Sequence, residues 1–151
     1  MKTKRHLVVE AIRNGTVIDH IPADRTLLVI EMLTNDKHCY FAGVNLASTS
    51  QGQKGILKIQ DKILVERDLQ ILAALAPDAT VNVIEDFSIV QKHKLEMPKE
   101  VVGLFKCNNE KCITNNEKIE TRFLLSPKVH RCHYCERLFP VQRMKIRRPN
   151  S

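Results

Sequence analysis

The sequence predicts an α+β protein built as two domains, and three observations carry the prediction. The hydrophobic patterns up to Lys94 run strand, helix, strand, strand, helix, strand, with an extra short strand near the start and a hairpin partner at the end. That order belongs to the split βαβ, ferredoxin-like unit, an antiparallel sheet with both helices on one face. Four of the five cysteines then fall between Cys107 and Cys135, in two close pairs. Charge divides at the same place. Residues 1–97 hold twelve Lys or Arg against twelve Asp or Glu; residues 98–151 hold twelve against five, so the second part carries the whole formal charge of +7. The domains are therefore drawn as 1–97 and 98–151, with the boundary at Met97-Pro98, where proline biases its predecessor away from helix.

Residues His6–Arg13 set Leu7, Val9 and Ala11 against Val8, Glu10 and Ile12 and read as a strand. Asn14-Gly15 supplies a turn tolerant of positive φ, after which Thr16, Val17 and Ile18 resume extended chain and Asp19 and His20 end it. Pro22 is placed to open a helix, with Asp24 in a first turn whose dipole favours an acid. The nearly all-apolar run Leu27–Leu33 is expected to be buried against the sheet. Cys39–Leu46 and Gly55–Gln60 read as strands on either side of the polar stretch 48–53. Val65, Leu69, Leu72 and Ala76 recur at helical spacing until Pro77-Asp78 stops them, and Thr80–Glu85 and Phe87–Lys94 complete the sheet. In the second domain Val101–Lys106, Arg122–Leu125 and Val129–Arg131 read as extended chain. Leu138, Phe139 and Val141 are expected to cover the apolar side of a metal site. The basic tail Arg143, Lys145, Arg147 and Arg148 reads as an exposed, mobile end.

Cys107 and Cys112 are separated by four residues, Cys132 and Cys135 by two, with nineteen between the pairs. Two tight loops that each offer two thiolates suit a tetrahedral structural zinc, and iron is the alternative for the same donors. Two disulfides are the competing reading; no signal-peptide pattern is read ahead of the first strand, so reduced thiols are expected. His130 and His133 flank the second pair and are expected to face solvent. Four sulfurs fill the coordination shell, and no nucleophile stands beside a convincing base, so the chain is not read as an enzyme. Cys39 is expected to be a small buried core residue. No apolar run approaches the roughly 20 residues of a membrane span, and a cytoplasmic location is expected.

The basic second domain fits either nucleic acid or an acidic face on a partner protein. A zinc-containing nucleic-acid binder is thus the alternative function, although only Tyr134 and Phe139 offer themselves for base stacking. In the first domain Asp19, His20, Lys58, Asn82, Lys92 and Lys94 lie in or beside strands. Singly, each has a plain explanation as a solvated or turn-bonded group. Together, with Lys58 and Lys92 on an open face, they could hold the phosphates of a nucleotide while Asp19 accepts from ribose hydroxyls.

The segment Val9-Glu10-Ala11-Ile12 followed by Gly15-Thr16-Val17-Ile18-Asp19-His20-Ile21-Pro22-Ala23 resembles the N-terminal signature of aspartate carbamoyltransferase regulatory chains. Gly43 with Asn45-Leu46, Lys58-Ile59, Ala76-Pro77, Ala79-Thr80-Val81-Asn82 with Ile84, and the four cysteines follow in the family's order. The resemblance implies a non-catalytic subunit of pyrimidine biosynthesis that binds CTP as inhibitor and ATP as activator. It leaves room for a second nucleoside triphosphate and magnesium beside the first. By position it implies that Ala11 and Ile12 read the base through their backbone, Val17 and Ile84 wall it, and Asp19 and Lys58 meet the ribose. It assigns His20 and Lys92 to the triphosphate and Asn82 to the pocket lining. It further implies one structural zinc on Cys107, Cys112, Cys132 and Cys135, a regulatory-chain homodimer, and docking of the zinc domain on the catalytic chain. The implied assembly is a dodecamer of two catalytic trimers and three regulatory dimers. Phe87 replaces a tyrosine and His6 a lysine found in well-known bacterial members, and the tail beyond Phe139 is longer and more basic.

Overall fold

The computed structural model describes residues 11–34, 37–48 and 52–147. They fall into two compact units, the described part of Met1–Leu64 with Asp78–Lys94, and the described part of Val65–Pro77 with Leu95–Ser151.

The first unit is a five-stranded antiparallel sheet of β1 (Gly15–Pro22), β2 (Tyr40–Ser48), β3 (Gly52–Gln60), β4 (Thr80–Glu85) and β5 (Ser88–Lys94), ordered β2-β3-β1-β4-β5. This is the split βαβ order with one strand added by a hairpin. Alternation decides its faces: Thr16, Ile18, Leu57, Ile59, Val81 and Val83 are buried on one side. Helix α1 (Thr26–Leu33) follows a single 3-10 turn at Ala23–Arg25 and buries Thr26, Val29 and Leu33. Thr26 donates to the Pro22 carbonyl at 3.0 Å. A Cβ on Gly55 of β3 would lie 2.0 Å from the Thr26 hydroxyl oxygen, so only glycine lets the helix start approach this strand. Asp86-Phe87, with φ of 47° and 66°, forms the two-residue turn between β4 and β5. Asn14 braces it through its side-chain oxygen, which accepts from the Asp86 amide.

The second unit begins with α2 (Glu66–Leu75), whose N-terminal amide at Val65 donates to the Asp68 carboxylate at 3.2 Å. Ile71 to Leu75 are all buried, so the C-terminal half of this helix is enclosed on every side. Four strands follow as one antiparallel sheet, β6 (Glu100–Val102), β8 (Arg122–Leu125), β9 (Val129–Cys132) and β10 (Leu138–Pro140), ordered β10-β9-β8-β6. A second small ladder pairs β7 (Phe105–Lys106) with β11 (Lys145–Ile146). Phe105, Phe123 and His130 form the aromatic core, with Phe105 edge-on to Phe123 at 6.1 Å and stacked on His130 at 5.8 Å.

Several expectations are corrected. Of the predicted strand His6–Arg13, residues 6–10 lie outside the described residues and Ala11–Arg13 are not extended in a ladder. The piece after Asn14 is instead the central strand β1, and it runs through His20 to Pro22 because a bulge after Ile18 absorbs the change of direction. Pro22 therefore ends a strand as well as standing at the cap of the 3-10 turn that leads into α1. Leu27 is 70% exposed, since a helix with one face on a sheet cannot bury every residue of an apolar run. Gly103, at φ 70°, breaks Val101–Lys106 into two strands. Leu138 is exposed and only Val141 of its group is buried. The basic tail is held to Arg147: β11 pairs with β7, and the Arg147 amide donates to the Leu104 carbonyl at 2.9 Å. Cys39 is exposed and His130 is fully buried.

Candidate metal centre and effector face

Two chain reversals build the cysteine cluster. In the first, the Cys112 amide donates to the Asn109 carbonyl at 2.9 Å, and the four-residue helix α3 (Ile113–Asn116) follows directly. In the second, the amide of Glu136, at φ 62°, donates to the Cys132 carbonyl at 2.9 Å. All four ligand sulfurs lie within 4.8 Å of one another. Cys107 Sγ is 3.7 Å from Cys135 Sγ, and Cys112 Sγ is 3.8 Å from Cys132 Sγ. A tetrahedron with zinc to sulfur arms of about 2.3 Å has edges of about 3.8 Å, so the cluster fits one structural zinc. The cysteines are free thiols, against the disulfide reading. Burial pushes the Cys107 thiol well up and also raises the Cys132 thiol. Burial would also raise Cys135, but the Arg137 amide, the Asn109 side chain and the neighbouring thiols bring it down to about 7.

His130 replaces the expected solvent-facing ring with a core group. Its Nε2 lies 3.0 Å from the Ala74 carbonyl oxygen and donates to it, which joins the end of α2 to the strand that delivers Cys132. His133 is exposed and lies edge-on to Tyr134.

Register builds the other site. Val17 pairs with Lys58 on one side and Asn82 on the other, and Asn82 pairs with Lys92. Directly opposed residues in antiparallel strands share a face, so Lys58, Val17, Asn82 and Lys92 form one row across β3, β1, β4 and β5, opposite the buried face. Asp19, Thr80 and Lys94 form the next row. Ile84 stands in β4 on the other side of Asn82, facing Gly15, and is nearly buried. His20 takes φ 59° at the bulge; its amide donates to the Asp19 carboxylate at 2.7 Å and its Nδ1 is 3.3 Å from the Thr80 hydroxyl oxygen. Ile12 is buried and Ala11 exposed, just before the central strand. His6 lies outside the described residues.

Lys54 was missed by sequence reasoning: its Nζ lies 2.7 Å from Asp19 Oδ1, with both side chains largely shielded. The alternation Lys54, Ile56, Lys58 was the available signal. Thr114, Asn115 and Asn116, which brace the first cysteine loop, carried no comparable signal.

Residues 7–96 match the family described as aspartate carbamoyltransferase regulatory chain, allosteric domain, and residues 99–145 match its metal binding domain. The aspartate carbamoyltransferase regulatory chain of Porphyromonas gingivalis is 43% identical over 148 residues, 95% of this chain and 98% of its own length. Those of Tolumonas auensis, 41% identical over 92% and 94% of the two chains, and Pyrococcus abyssi, 43% over 87% and 91%, are alike in extent. The nucleic-acid reading is not favoured, because the cysteine cluster and most of the basic residues after Pro98 fall within the metal binding match. Effector nucleotides fit an allosteric domain, as zinc fits the thiols. Since both matches follow one another along a chain that shares nearly the full length of its relatives, it belongs to the aspartate carbamoyltransferase regulatory chain family and is a non-catalytic, allosteric subunit of that enzyme.

Proposed function

We propose that this regulatory subunit binds CTP and ATP on the open face of its sheet and docks on the catalytic chain through its metal domain. The observation that carries the reading is the cross-strand row of Lys58, Val17, Asn82 and Lys92, which sets two ammonium groups on one face with an apolar and an amide residue between them. Lys58 and Asp19 meet the ribose, and His20 and Lys92 meet the triphosphate. Val17 and Ile84 wall the base, Ala11 and Ile12 read it through backbone groups, and Asn82 lines the pocket. Lys54 holds the Asp19 carboxylate in place.

In the same reading Cys107, Cys112, Cys132 and Cys135 hold the zinc, and residues 1–97 and 98–151 are the effector and docking domains. Two regulatory chains pair, and three such pairs join two catalytic trimers in a cytoplasmic dodecamer. Among the described residues no helix is long and apolar enough to cross a membrane. Allosteric control requires effectors to bind two quaternary states with affinities differing by about 1 to 3 kcal/mol. The test is reconstitution with the catalytic chain, with and without zinc, followed by the aspartate response in CTP and ATP. Zinc-dependent association with a nucleotide-shifted aspartate curve is expected. Failure of the zinc-loaded chain to associate overturns the docking role, and an aspartate curve indifferent to both nucleotides overturns the effector role.

A further inference from the structure

We propose that Thr114 is a positioning residue for the metal ligand Cys112, holding its thiolate by a hydroxyl hydrogen bond. The inference rests on the zinc reading of the cysteine cluster. Thr114 Oγ1 donates to Cys112 Sγ at 3.2 Å, and the threonine is 7% exposed, so water does not compete for the sulfur. A threonine in a helical turn ordinarily returns its hydroxyl to a carbonyl three or four residues back. Here the carbonyl four residues back, that of Glu110, is already engaged by Asn116. The Asn116 side-chain amide donates to the Glu110 and Cys112 carbonyls at 3.1 and 2.9 Å. The Asn115 amide donates to the Cys107 and Asn109 carbonyls, both at 2.8 Å. Three consecutive side chains of α3 therefore reach one cysteine loop, two bracing its backbone and the third its sulfur.

The other ligand sulfurs each receive at least one backbone amide, Cys107 from Asn109, Cys132 from Tyr134 and Cys135, and Cys135 from Arg137, the last joined by the Asn109 side chain. At Cys112 the donor is a side chain, so it can be removed without altering the main chain. A hydroxyl aimed at a bound thiolate withdraws electron density from sulfur and fixes the direction of its lone pairs, as outer groups do around other metal ligands.

The experiment uses the full chain loaded with cobalt(II) for spectroscopy and with zinc for chelator competition. Thr114→Val keeps the shape and drops the hydroxyl; Thr114→Ser keeps the hydroxyl. Without the donor, sulfur holds its electrons less tightly. The thiolate-to-cobalt charge-transfer band of Thr114→Val should move to longer wavelength, with zinc bound about tenfold more weakly. Thr114→Ser should restore both readings. A Thr114→Val chain with the parent's band and zinc affinity overturns the proposal, as does a serine variant that behaves like the valine one. Should the valine variant fail to fold, Thr114→Ala replaces it against serine with the same outcomes. A parent chain that gives no tetrahedral thiolate spectrum refutes the metal reading itself, a failure distinct from that of Thr114.

Discussion

Removing zinc should release the helix Glu66–Leu75, although it lies more than thirty residues before Cys107 in the sequence. The reason is that α2 belongs by its contacts to the second unit, and its Ala74 carbonyl accepts from His130, two residues before Cys132. Structural zinc in small domains contributes about 10 to 16 kcal/mol of apparent binding energy. That equals or exceeds the whole stability of a typical domain, about 5 to 15 kcal/mol. Loss of only about 4 kcal/mol speeds amide exchange roughly a thousandfold wherever exchange waits on unfolding. Hydrogen exchange of the full chain, with zinc and after chelation, should show the amides of Leu72 to Leu75 losing at least this protection together with β8 and β9. Strands β1, β3 and β4 should keep theirs. Intact protection of α2 after metal loss would refute the argument, because the helix would then be stabilised independently of the cysteine domain. His130→Leu with zinc retained isolates the hydrogen bond: it leaves the Ala74 carbonyl without its donor, and about 1 to 3 kcal/mol of protection should go from the helix end alone.

The remaining predictions are more local. Lys58→Ala and Lys92→Ala should each weaken CTP binding by roughly ten- to a hundredfold, the worth of a charge-assisted hydrogen bond, and unchanged calorimetric titrations in both would sink the effector site. Gly55→Ala forces a methyl to within 2.0 Å of the Thr26 hydroxyl and 2.3 Å of its methyl, and should cost about 1 to 3 kcal/mol in denaturant unfolding of the sheet unit. Thr26→Ala added to it should recover part of that loss; a Gly55→Ala chain of unaltered stability would contradict the close approach. Acid should expel the metal. Zinc needs thiolates, so protons compete with it, and below pH 7 even the low-lying Cys135 thiol takes up its proton. Apparent affinity by chelator competition should therefore fall as pH drops, by up to about four powers of ten per unit when four protons are exchanged; a pH-independent affinity would exclude thiolate ligation.

Some strands were legible from residues alone. Thr80–Glu85 and Arg122–Leu125 keep their predicted bounds, the first ended by a tight turn and the second by Ser126-Pro127. The errors cluster where chain direction changes by means that leave no periodic trace. His20 at φ 59° carries β1 past the polar pair where a strand end was expected, and Gly103 splits one extended run in two. Burial failed for a different reason. Cys39 lies just before an edge strand, with its carbonyl accepting from the Gln60 amide but its side chain facing water. His130 took a core place because its ring could donate to a helix-end carbonyl, and nothing in a histidine beside a cysteine pair signals such a distant acceptor.

The two sites differ in how much a sequence can say about them, and the physics of each explains why. A metal supplies its own geometry: once four sulfurs are close, the ion sets their angles, so spacing within each cysteine pair is nearly sufficient. The proposed effector face has no such template. Lys58, Val17, Asn82 and Lys92 lie on four strands spread over 76 positions, and they fall into one row only through three pairings. One residue of slip in any pairing would turn a member of the row toward the core. The Asn82–Lys92 pairing depends on the bulge between Val83 and Ile84, which adds a residue and shifts everything beyond it from the turn. The residue types were readable, whereas their convergence is a product of long-range pairing. For the same reason a register-shifting insertion in β1 should damage nucleotide binding more than loss of any one side chain, while leaving the tetrathiolate spectrum of the cobalt-loaded chain unchanged.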